Sequence, residues 1–155
     1  NPIELKLKPK RWRITDWHDM LMSETWKIRN PNEKLPQKLF PNLIEINEPL
    51  TQWKIFQPRD THALARWGQA ARNCVGSATS YFKGIKQCKH MIILVMLDNQ
   101  PKYTIQTTFD NGEMTVKQIT KVENGRQEWQ LEPAEHQSVE LILNQALKIR
   151  SSQLS

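Results

Sequence analysis

The sequence predicts an α+β domain: a three-stranded antiparallel meander packed by helices, preceded by a basic N-terminal arm and a loop-rich N-terminal region. Three observations predict it. Met91 to Leu97 is an unbroken apolar run of strand length, the pattern of a strand covered on both faces. Asn111-Gly112, flanked by Tyr103–Phe109 and Met114–Ile119, suits a tight hairpin, because a type I′ turn needs positive φ at both central residues. Leu64, Trp67 and Ala71, and later Val139, Ile142, Leu143, Ala146 and Ile149, recur at the three- and four-residue steps of amphipathic helices.

Taken in order, Lys6, Lys8, Lys10, Arg11 and Arg13 stand against Glu4 alone around Trp12, and Pro9 discourages helix there. Thr15 or Asp16 can cap a helix to about Ile28, with Trp17, Leu21 and Ile28 on one side. Pro31, Pro36, Pro41 and Pro49 break regular structure over residues 30–50, leaving room for one short strand at Leu43 to Ile46. Trp53 to Phe56 reads as a short strand ending before Pro58. Asp60 or Thr61 caps the Leu64 helix, and Ser77 caps a short helix to Gly84. Asp98 to Pro101 turns the chain into the Tyr103 strand. The chain thus divides at about residue 50: 1–50 is the arm, helix and Pro-rich loops, and 51–155 is the α+β domain closed by its C-terminal helix.

A two-residue loop at Asn111-Gly112 sets an expected register. Phe109 opposes Met114 and Ile105 opposes Gln118, so Gln118 shares a face with Tyr103, Ile105, Met114 and Val116. Gln106 falls on the other face near Lys117. A primary amide on an otherwise apolar face needs hydrogen-bond partners. It either finds them in nearby backbone or reaches toward a site shared with the Cys74 loop.

Composition limits the function classes. The chain has 155 residues, six Trp and a formal net charge of +6, enough for one domain with its own core. No apolar run approaches the roughly 20 residues of a membrane helix, so no membrane partner is expected. Two cysteines, Cys74 and Cys88, make no secreted disulfide framework, and the expected location is cytoplasmic. A start at Asn1 rather than Met is expected of a processed piece or an excised domain.

The segment Asn73-Cys74-Val75-Gly76 through Tyr81 to Gly84 resembles the signature of PcfJ-like proteins, accessory proteins of conjugative plasmids and other mobile elements. The Met91–Leu97 strand, Pro101-Lys102-Tyr103-Thr104-Ile105, Asn111-Gly112, Gln118 and Asn124 come next in the family's order. The likeness spans about residues 53–125. Gln106 stands where the family strand usually has Glu, which puts any acid, base or ligand role there in doubt. The resemblance implies a nucleic-acid-transfer context and no particular reaction.

Candidate chemistry follows from residue types. Cys74 precedes an expected helix start, where unpaired N–H groups and the helix dipole favour a thiolate. His62 lies twelve residues earlier, about 18 Å along an unbroken helix, and His90 precedes the next strand. With Gln118 or Asn73 these residues have the composition of a Cys-His site, while a small buried Cys explains Cys74 equally. Cys88, His90, Cys74 and His62 are zinc-type ligands at spacings that fit no finger or ribbon, so no metal or cofactor is expected. Nucleic-acid binding rests on Lys8, Lys10, Arg11, Trp12 and Arg13, where cations meet phosphate and an indole can stack, and on Lys83, Lys86 and Lys89. No Gly-rich phosphate loop is present.

Three functions are therefore open. The first is a nucleic-acid-associated accessory module of a mobile element. The second is a Cys-dependent hydrolase or transferase centred on Cys74, with His62 or His90 as base and Gln118 beside it. The third is a structural domain that binds a protein partner within a larger polypeptide.

Overall fold

The structure, a computed structural model, describes residues 29–71, 85, 89–111, 113–128 and 130–154. The arm at Lys8, Lys10, Arg11, Trp12 and Arg13 lies outside them. So do the expected helices at 15–28 and 77–84, with Cys74, Lys83 and Lys86.

The described fold is α+β. The expected three-stranded meander is the middle of a six-stranded antiparallel sheet, which also takes in the short strands expected at Leu43 to Ile46 and Trp53 to Phe56. The six are β1 (Ile44–Asn47), β2 (Gln52–Phe56), β3 (His90–Leu97), β4 (Gln100–Asp110), β5 (Glu113–Glu123) and β6 (Arg126–Glu128). They pair in sequence order as one sheet. Helix α1 (Thr61–Ala70) follows β2, and α2 (Pro133–Leu154) ends the chain. Among the described residues no helix is long and apolar enough to cross a membrane.

Tight turns build the meander. Asp98 and Asn99 both have positive φ (49° and 64°) between the paired residues Leu97 and Gln100. Asn111 (φ 53°) sits at the β4–β5 turn, and Asn124-Gly125 (φ 53° and 71°) makes the β5–β6 turn. Asn, Asp and Gly reach this left-handed region at little cost. Asp98 does more than turn: its Oδ1 accepts the Gln52 N–H at 2.8 Å, and its own N–H donates to the Gln52 carbonyl at 2.9 Å.

β3 is buried on both faces, as its apolar run predicts, because a helix covers each side of the sheet. On one side Val139, Leu143 and Ala146 of α2 pack with Ile44, Ile55, Ile93, Ile105 and Ile119. On the other, Leu64, Trp67 and Ala71 of the α1 region pack with Leu35, Ile85, Ile92 and Leu94. Leu39, Phe40 and β1, from the Pro-rich region, belong to the α2-side core. The α1 start is capped as expected, the Ala63 N–H donating to Asp60 Oδ1 at 2.7 Å. Thr61 Oγ1 accepts the Glu33 N–H at 3.1 Å and ties the preceding loop to the helix.

An ion cluster pins α2 to β5. Lys121 Nζ reaches Glu135 at 2.8 Å and Glu123 at 3.1 Å, with the lysine side chain only 15% exposed. Hydrogen bonds to Glu135 and then Glu123 hold its pKa above the usual lysine range. Beside it, burial and then the charge of Glu135 push the Tyr103 hydroxyl up to about 12. A folded pKa above the unfolded value of roughly 10 gives stability that is fully present below pH ~10 and lost as pH rises through ~12. Urea midpoints of the native chain should therefore fall more between pH 9.5 and 11.5 than those of Tyr103→Phe; parallel curves for the two would contradict this assignment.

The hairpin register corrects the expected position of Gln118. Asp110 opposes Glu113 and Phe109 opposes Met114, as read from the turn. The ladder then shifts: Thr107 opposes Val116 and Gln106 opposes Gln118. Lys117 is the additional residue of a β-bulge, and one inserted residue moves the rest of the strand's side chains to the opposite face. Ile119, not Gln118, opposes Ile105, and Gln118 lies on the α1 side with Gln106.

Candidate functional site

On the α1 side the central strands present three cross-strand rows: His90–Thr108–Thr115, Ile92–Gln106–Gln118 and Leu94–Thr104–Thr120. Directly opposed residues of an antiparallel ladder point to one face, and residues two apart repeat that face about 7 Å along the strand. The third row is the dry one. Trp67 of α1 lies over it and donates its indole N–H to Thr104 Oγ1 at 2.8 Å. Toward the β4–β5 turn the rows become polar, and the buried Thr108 Oγ1 has no hydrogen-bond partner among the described residues.

These rows separate the histidines. His90 and Gln118 share the α1-side face, in adjacent rows. His62 lies in the first turn of α1, its Nε2 2.8 Å from the Asn30 carbonyl and its backbone N–H donating to Asn32 Oδ1 at 3.1 Å. The far end of α1 leads into the connection that carries Cys74, about 14 Å away along a ten-residue helix. His62 therefore belongs to the loop anchor at one end, and His90 and Gln118 to the polar rows. Ile85, within that connection, is 3% exposed and packs in the α1-side core. Lys89 is exposed just before β3. Among the described residues no group of three metal-ligating side chains occurs.

A second feature has no counterpart in the sequence reading. Between α1, the β2–α1 loop and the loop before β1 lies a cleft of about 440 Å³. Phe40, Phe56, Trp67 and Leu94 supply its apolar floor, with Phe56 edge-on to Trp67 at 5.8 Å. Arg59 and Arg66 lie at its rim, exposed, and form no ion pair among the described residues. Gln57 lines it and is only 3% exposed. The signal available in sequence is a buried-type strand run into Gln57-Pro58-Arg59, but the cleft needs the 37–43 loop, whose approach no periodicity announces.

Compared with family models, curated proteins and solved structures, the chain shows no match.

Proposed function

We propose that the chain is a nucleic-acid-associated accessory module of a mobile genetic element, acting in DNA transfer or processing and holding the phosphate backbone through its basic surface. The mobile-element context rests on the resemblance of the Cys74-Val75-Gly76 segment and its following strands to PcfJ-like proteins. The binding mode rests on one observation, the uneven distribution of charge. From Arg59 to Lys89 the chain carries Arg59, Arg66, Arg72, Lys83, Lys86 and Lys89 against Asp60 alone. Asp60 is engaged as the α1 cap. The opposite helix, α2, carries Glu132 at its start and Glu135 and Glu140 within, against Lys148 and Arg150. A segment with such an excess of cations attracts polyanions. The basic arm around Trp12 adds cations and an indole suited to a single strand.

Fluorescence anisotropy with a labelled oligonucleotide tests the reading. Affinity falls with added salt, and the combined Arg11→Ala, Trp12→Ala, Arg13→Ala variant binds more weakly than the native chain at low salt. An affinity that is flat from low to moderate salt overturns it.

One observation favours a second reading, a Cys-dependent hydrolase or transferase centred on Cys74. His90 and Gln118 share the α1-side face, beside a Thr108 hydroxyl with no partner among the described residues. Selective alkylation of Cys74 over Cys88 that weakens in His90→Ala supports it; equal, slow labelling of both thiols removes it.

A further inference from the structure

We infer that the cleft beside α1 is a nucleotide subsite: it receives one unstacked base of a bound single strand, with the adjoining phosphate on Arg59 and Arg66. The inference rests on the nucleic-acid reading above and names where a base would go. Its first support is a donor fixed in orientation. Gln57 Oε1 accepts the backbone N–H groups of Leu39 and Phe40, both at 2.9 Å. Only the carbonyl end of an amide can accept two such donors, so the side chain's orientation is determined. Its Nε2 is left with no acceptor among the described residues, on a residue only 3% exposed at the cleft wall. With its orientation fixed by the two acceptor bonds, this donor is left to water at the cleft and can meet an acceptor from a ligand instead.

The remaining features define that ligand. The floor is apolar and aromatic, and the volume falls within the range of about 300–1,000 Å³ typical of small-ligand sites. Arg59 and Arg66 at the rim, in no ion pair among the described residues, can meet an anion. Asp60 also lines the cleft, with Oδ1 engaged by the Ala63 N–H. A flat ring with carbonyl or ring-nitrogen acceptors on its edge, joined to a phosphate, meets all three demands. Splayed bases of single strands are commonly held by an apolar surface, an amide on the base edge and cations on the backbone.

The test uses the full chain carrying Trp12→Ala, so that stacking on the arm is absent. It compares binding to a labelled twelve-nucleotide single strand and to an abasic strand of equal length and charge. The base-bearing strand should bind about tenfold tighter, the order expected for seating one base. Gln57→Glu keeps both acceptor bonds to Leu39 and Phe40 while replacing the free donor with an acceptor, and it should reduce binding of the base-bearing strand to the abasic level. Ala63→Leu fills the cleft from a helical position with no hydrogen-bonding side chain to lose, and should do the same. A preference for bases that survives in Ala63→Leu overturns the subsite and leaves the nucleic-acid reading standing. Failure of the native chain to bind either strand overturns both. Shifts of the Ala63 and Ala70 methyl signals with indole-3-acetate but not with thymidine monophosphate overturn the subsite in favour of an acidic, aromatic peptide-like ligand.

Discussion

Replacing Trp67 by alanine should destabilise the fold by about 3–5 kcal/mol, the usual cost of deleting a large buried aromatic side chain. Trp67 is 7% exposed and is the piece of α1 that fills the α1-side core. It contacts Phe56 edge-on and donates to Thr104 across the sheet. Alanine removes the volume, the ring contact and the donor together, and leaves a void above Ile92 and Leu94. Phenylalanine separates these contributions. Trp67→Phe keeps a ring against Phe56 and loses the indole N–H, so its added hydrogen-bond cost should be about 1 kcal/mol. Urea denaturation of the three proteins measures both steps. A loss below about 1 kcal/mol for Trp67→Ala would mean that α1 is not integral to the sheet's packing.

The second large effect is on binding. With about five phosphates neutralised, affinity for a nucleic acid should fall roughly 10²- to 10³-fold between about 50 and 200 mM salt, because each neutralised phosphate releases condensed counterion. The six cations between Arg59 and Lys89 and the five around Trp12 are sufficient in number. The strength of this electrostatic effect, and not any base-specific contact, is what the charge distribution predicts. Titrations at four salt concentrations give the slope directly.

Much of the described fold follows from local chemistry. Asn111 sits at the expected β4–β5 turn, Asp60 caps α1, and the Met91–Leu97 run becomes the strand buried on both sides. The difference in sheet size has identifiable causes. Asn124-Gly125 carries the same turn signal as Asn111-Gly112, but the strand after it, Arg126–Glu128, is three polar residues with no alternation to detect. The first two strands are separated by Pro49 and stand among other breakers, so neither suggests a sheet edge. The bulge at Lys117 leaves a trace that period-two reading passes over. Met114 and Val116 keep phase, then the next apolar residue on that face is Ile119, three positions on rather than two. That slip carries Gln118 to the other side.

The candidate site is less accessible to sequence for a different reason. His90 and Gln118 stand out as residue types, but their common face depends on the bulge. The cleft depends on a contact between residues seventeen and eighteen apart, where the Gln57 amide meets the Leu39 and Phe40 N–H groups. Such tertiary hydrogen bonds have no periodic signature. Charge is visible in the sequence as a total; that Arg59 and Arg66 stand exposed at the rim of the cleft requires the fold.

A comparison of charge removal in the Arg59–Lys89 segment and on α2 bears most directly on the proposed basic surface. Arg59→Ser, Arg66→Ser and Lys89→Ser together should lower the magnitude of the salt slope by about 2 to 3 and weaken low-salt binding at least tenfold, whereas Lys148→Ser on α2 should leave both unchanged. Slopes that respond to Lys148 and not to Arg59, Arg66 and Lys89 would contradict it.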